Sequence, residues 1–117
     1  HAPNEQVFTI VRKLKAAGYT LGVLSNVGSA LSNYLPSDLL QLFDVVTHSF
    51  EVHAIKPDPR LYEYHLAQLK AQPDEVVFID DRESNVAGAQ QLGICGLHFT
   101  DATVLAEALQ KLALRGL

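Results

Sequence analysis

The chain has 117 residues, of which 48% are apolar and 19% charged, with a formal net charge of -4 and one cysteine. That length suits a single domain with one sizeable core, and the acidic balance argues against nucleic acid or an acidic membrane surface as partner, because both reward a basic face. The lone Cys95 excludes an internal disulfide and points to a reducing, cytoplasmic setting, and no apolar run reaches the about eighteen residues of a membrane span.

The opening HAPNEQ has no methionine and no charged-then-apolar signal pattern, so an upstream segment is expected. Asn4 is placed to cap a helix in which Val7, Phe8, Ile10, Val11 and Leu14 recur at helical spacing, and Gly18 ends it. Residues 20–24 read as a short apolar strand that stops at Ser25 and Asn26. Residues 30–35 form a short helix interrupted by Pro36, and Ser37 caps another turn through Leu42. A second strand covers 44–48.

The stretch 51–59, EVHAIKPDP, is expected to be a loop, since its two prolines bias the residues before them away from helix. A helix over 60–71 follows, with Leu61, Tyr64, His65 and Leu69 inward. Residues 76–80 form the third strand, 84–92 the next helix with Gly93 as its stop, and 97–99 a fourth strand. Asp101 caps a last helix that turns Val104, Leu105, Ala108, Leu109 and Leu112 inward. The strands are apolar runs that alternate with helices. This is an α/β fold with a mostly parallel sheet covered on both faces.

Open parallel sheets place ligands beyond the carboxyl ends of their strands, and three strand ends here gather polar residues. In VVFIDDRESN, residues 76–85, an apolar strand delivers Asp80 and Asp81, with Asn85 a few residues on. Paired carboxylates are hard oxygen donors suited to Mg2+ that keeps water and substrate phosphate in its shell, although Asp81 could equally cap the following helix. Ser25 and Asn26 supply donors for a phosphate oxygen, or for an ordinary turn. Lys56 stands in a proline-stiffened loop, where an ammonium can offset a carboxylate and a phosphoryl group crowded together.

The ordered set LSN at 24–26, KPDPRLY at 56–62 and FIDDRESNVAGA at 78–89 resembles the second, third and fourth motifs of the haloacid dehalogenase (HAD) superfamily. The similarity looks nearest to phosphatase-type members with a helical cap, such as the domain joined to epoxide hydrolases. It implies a Rossmann-like three-layer core and Mg2+ as cofactor, with a small phosphorylated metabolite as substrate. It also implies roles: Ser25 and Asn26 hold the phosphoryl group, Lys56 is the catalytic cation that stabilises it, Asp80 and Asp81 bind metal, and Asn85 supports them. Metal-free dehalogenases of the family generally carry small polar residues in place of the paired acids. His53 stands where many relatives have glycine, and is expected to be an exposed loop residue.

One motif is missing. The family's first strand ends in an Asp-x-Asp that provides the nucleophile, and no such stretch occurs in this sequence. The resemblance therefore implies the carboxyl-terminal part of a HAD-like core, residues 1–117, without cap and without the central strand, inactive by itself. An empty strand position would hold its neighbours about 9 to 10 Å apart, twice the spacing of paired strands. The flanking strands could pair directly, or an upstream segment or a second copy could complete the sheet. A metal-independent dehalogenase and a non-catalytic interaction module remain as other readings. A phospho-acceptor receiver domain is contradicted by the order of the motifs.

Overall fold

The computed structural model describes residues 3–26 and 36–112. Its elements are α1 (Pro3–Ala16), β1 (Gly22–Ser25), α2 (Ser37–Leu40), β2 (Val45–His48), α3 (Ser49–Val52), α4 (Pro59–Leu69), a 3-10 turn (Pro73–Glu75), β3 (Val77–Asp80), α5 (Glu83–Gln91), β4 (Cys95–His98) and α6 (Ala102–Lys111). The helix expected over 30–35 and the cap expected of the Asn4 side chain lie outside what is described. No helix among the described residues is long and apolar enough to cross a membrane.

The strands form two parallel pairs. β1 runs beside β2 from Gly22 opposite Val45 to Ser25 opposite His48, and β3 beside β4 from Val77 opposite Cys95 to Asp80 opposite His98. Among the described residues β1 and β3 do not pair with each other. Each has one edge without ladder bonds among the described residues, so the sheet does not close by direct pairing of these two strands.

Two apolar layers cover the strands, and the pleat of β3 feeds both. Val77 and Ile79 pack toward Ile10 of α1 and Leu105 and Leu109 of α6. Val76 and Phe78 pack the other way, with Leu24, against Tyr62 and Leu66 of α4 and Ala89 of α5. A strand that packs apolar layers on both faces must be an apolar run rather than an alternating one, which is why VVFI reads as it does.

Ionic contacts fix the entry to β1. Asp44 accepts from the Leu21 N–H at 2.8 Å and pairs with Lys15 of α1 at 2.8 Å. The Lys15 hydrogen bond, then the Leu21 N–H, hold the Asp44 carboxyl below its ordinary value. Caps end the helices as their residue types allow. Asp101 accepts from the Val104 N–H at 2.9 Å, and Gly18 follows α1 with φ +95°.

Several expectations need correction. The fourth strand is Cys95–His98, not 97–99, because its ladder begins with the Cys95 N–H donating to the Val76 carbonyl. The stretch 51–59 is not all loop: Glu51 and Val52 finish α3, and α4 begins at Pro59, whose missing N–H costs nothing in a first turn capped by Asp58. Tyr64 is exposed while Tyr62 is buried, so the inner face of α4 runs through 61, 62 and 66. Val104 on α6, and Leu112 in the cap position just after it, are exposed rather than inward.

Candidate functional site

The site lies at the carboxyl ends of the strands, where helices and loops begin and backbone donors face outward. Ser25 closes β1 and is buried, and Asn26 follows it at the surface. Across the pair, His48 ends β2, and its ring stacks on Phe50 at 5.2 Å between centroids. Asp80 closes β3, with His98 opposite it on β4.

The loop between α3 and α4 ties these ends together through Lys56. Its backbone N–H donates to Asn26 Oδ1 at 3.2 Å, and its Nζ donates to Asp80 Oδ2 at 2.9 Å. The two charged side chains are only 13% and 7% exposed, so this ion pair is held largely out of water. The ammonium also lies 5.9 Å from the Phe78 ring centroid, within reach of a cation–π contact. One residue thereby joins the β1 end by its backbone and the β3 end by its side chain.

Asp80 is committed on both oxygens. Oδ2 also accepts from Asn85 Nδ2 at 3.2 Å, and Oδ1 accepts from the Arg82 N–H at 2.9 Å. Burial pushes its carboxyl up, but the Lys56 hydrogen bond, the Arg82 N–H, the Lys56 charge and the Asn85 amide together bring it below its ordinary value. Asp80 is thus a carboxylate at neutral pH. Asp81 is different: its residue is exposed and its carboxylate makes no hydrogen bond among the described residues. It does not cap α5 either, because the cap position is Arg82.

The buried Asn85 is fixed from two sides, through its amide to Asp80 and through its backbone carbonyl, which accepts from Tyr62 Oη at 2.6 Å. Burial, then the Asp80 charge, raises the Tyr62 phenol to about 12, so it stays a donor. Tyr62 also meets Phe78 edge to face at 5.4 Å. Above it, α5 approaches the loop so closely that a Cβ on Gly88 would lie 2.7 Å from Pro57 Cβ. That approach needs glycine.

All five residues singled out for direct contact, Ser25, Asn26, Lys56, Asp80 and Asp81, thus stand at adjoining strand ends or in the loop between them, with Asn85 behind Asp80. Two further residues contribute to the site. Tyr62 is detectable in the sequence, since 62 and 66 share a helical stripe with 69. His98 is not, because only the register of β4 sets it beside Asp80. His53 is exposed, as expected, and its backbone shows why glycine suits this position: φ 57° and ψ 39° end α3 in the left-handed region.

No group of three or more His, Cys, Asp or Glu is assembled as a metal cage among the described residues. Mg2+ does not require one, since it is commonly held by one or two carboxylates with water and substrate phosphate completing the shell. A committed Asp80 beside an uncommitted Asp81 fits that donor chemistry.

Comparison with known proteins agrees with this geometry. Residues 1–97 match the family described as haloacid dehalogenase-like hydrolase. Bifunctional epoxide hydrolase 2 of Rattus norvegicus is 32% identical over 114 residues, covering 92% of this chain and 21% of that protein. A sesquiterpene phosphatase of Aspergillus oryzae is 30% identical over 112 residues, covering 94% of this chain and 57% of that one. Among solved structures, a dehalogenase in an intermediate complex superposes with a TM-score of 0.73 at 27% identity, covering 80% of this chain and 42% of that chain. The chain thus spans less than two thirds of each of these relatives.

Proposed function

The chain belongs to the haloacid dehalogenase-like hydrolase family, and from that premise we propose that it forms the phosphate-facing and metal-facing part of a Mg2+-dependent phosphatase of small phosphorylated metabolites. The observation that carries the reading is the double engagement of Lys56, N–H to Asn26 and Nζ to Asp80. It joins three separate motifs into one polar rim of the kind phosphoryl transfer needs, where charge is neutralised from several sides.

In this reading the Ser25 hydroxyl and the Asn26 amide donate to phosphoryl oxygens. Lys56 faces the same group and offsets its charge as it grows. Asp80 and Asp81 would hold Mg2+, which when bound supplies further neutralisation of the phosphoryl oxygens. Asn85 keeps Asp80 turned toward the rim, and Tyr62 keeps Asn85 in place.

The attacking carboxylate must come from elsewhere, because the sequence has no Asp-x-Asp at a strand end. An upstream segment would bring it on a strand seated between β1 and β3, which do not pair with each other among the described residues. Attack by that carboxylate on phosphorus would break the P–O bond to the substrate alcohol, which leaves with a proton, and give an aspartyl-phosphate; water then hydrolyses it to inorganic phosphate and the free carboxylate. The decisive measurement is phosphatase activity with Mg2+ on the chain alone and with the genomically upstream segment restored. No turnover by the chain and clear turnover by the restored protein are expected; turnover by the chain alone would overturn the assignment of the nucleophile.

Two other readings separate in the same experiment. The likeness to a dehalogenase structure supports a halide-releasing hydrolase, which would act on a 2-haloacid with chelator present. A non-catalytic interaction module would show neither activity after restoration.

A further inference from the structure

β3 and β4 end level with each other, so the last register position sets the His98 ring beside the first residues of the turn that leaves β3. The final ladder bond runs from the Phe99 N–H to the Asp80 carbonyl at 2.8 Å. One residue later the ladder is over, and the Asp81 carbonyl is taken instead by His98 Nε2 at 2.9 Å. A carbonyl has no proton to give, so the ring donates from Nε2. The other ring nitrogen lies 3.8 Å from Glu83 Oε1, beyond hydrogen-bond reach.

The turn is thus gripped at two points, by Asp80 Oδ1 on the Arg82 N–H and by His98 on the Asp81 carbonyl. The two carboxylates depend on these grips unequally. Asp80 is oriented by its own contacts with Lys56, Asn85 and Arg82. Asp81 has no side-chain contact of that kind among the described residues, so its aim follows its backbone, and its backbone is pinned by His98.

We propose that His98 is a positioning residue, which sets the direction of the Asp81 carboxylate for Mg2+ by holding the Asp81 carbonyl. The proposal rests on the reading of Asp80 and Asp81 as metal donors. His98 lies at the rim, with its side chain 36% exposed, so its effect on the metal is separable from an effect on folding.

The test is titration of Mg2+ into the 15N-labelled chain, followed at the Asp81 and Arg82 amides, for wild type, His98→Ala and His98→Gln, with urea unfolding of each. Loss of an outer partner of a metal donor is expected to weaken Mg2+ by about tenfold in His98→Ala. His98→Gln, which can still donate to the carbonyl, should regain most of that, with unfolding midpoints close to wild type in both. Wild-type binding with an unchanged affinity in His98→Ala overturns the positioning role and leaves the metal reading intact. Weakening that His98→Gln does not recover, matched by a fall in unfolding midpoint, makes His98 merely structural. A wild-type chain that shows no Mg2+ response at these amides sinks the metal reading and this inference with it.

Discussion

β1 with β2 and β3 with β4 are both four-residue parallel pairs in continuous register, and each ends with an imidazole, yet the first adds a hydroxyl and an amide and the second two carboxylates. The backbones are interchangeable, and the chemistry of the ends is not. The first half can only donate to or accept from a ligand, while the second concentrates negative charge that needs a cation. Lys56 supplies one, and because its backbone is tied to Asn26 it cannot serve the second half without also fixing the first. The halves share no ladder bond among the described residues, so they are coupled through this loop and through the apolar layer around Tyr62.

The comparison breaks most severely at that layer. Tyr62→Ala should cost about 4 kcal/mol in urea unfolding, since it empties a nearly fully buried aromatic position between α4, α5 and Phe78. Tyr62→Phe isolates the hydrogen bond to Asn85 and should cost about 1 kcal/mol. Equal losses in the two variants would mean that the ring's packing contributes little to joining the halves.

Lys56→Met is next, at about 3 kcal/mol near neutral pH, because it leaves Asp80 buried and charged without its partner. The pH dependence should also change sign. In wild type the Asp80 carboxyl lies below its unfolded value, so its contribution is complete above about pH 4 and is lost as pH falls through the folded value. In Lys56→Met burial acts with less opposition, the carboxyl rises, and mild acid should recover stability. Unfolding curves from pH 7 to pH 4 that run parallel in the two proteins would contradict this account of the ion pair.

A smaller effect belongs to the first half alone. His65 Nδ1 lies 2.7 Å from the buried Thr47 hydroxyl, and burial lowers the imidazole below its usual value. The neutral ring is the folded form, so stability should be full above about pH 6.5 and fall as pH drops toward the lowered value. His65→Gln should flatten that slope in thermal unfolding between pH 7 and pH 5. If the slope survives the substitution, it comes from another group.

The smallest expected effect is a gain. His53 holds φ 57° at the end of α3, where a side chain is strained and glycine is not. Relief of that strain is partly offset by the freer unfolded chain, so His53→Gly should stabilise by about 0.5 kcal/mol. Unchanged Mg2+ response in this variant would sharpen the view that His53 serves the backbone rather than the site.

Much of this arrangement is legible in the sequence, and the reasons are local. VVFI reads as a strand packed on both faces because its side chains join both apolar layers. Asp101 reads as a cap because a carboxylate before an apolar helix has few better uses. Where the structure differs from the local pattern, a distant contact outweighs it. Helical spacing on α4 does not choose between the face through Tyr64 and the neighbouring face through Tyr62 and Leu66; the layer holding Phe78 and Ala89 chooses the latter. Cys95 and Gly96 have little strand character of their own, and they join the fourth strand because Cys95 donates to the Val76 carbonyl and both lie in register with β3.

The sequence by itself determined the alternation of strand and helix and the polar residues at the strand ends, since these follow from burial pattern, chain reversal and side-chain chemistry within a few residues. Tertiary structure alone decided which of those ends face each other. The Lys56 bonds to Asn26 and Asp80 span 30 and 24 residues, and the His98 hold on Asp81 depends on a strand register no local pattern encodes. Distances across a sheet are set by packing of its layers, and packing is a property of the whole chain.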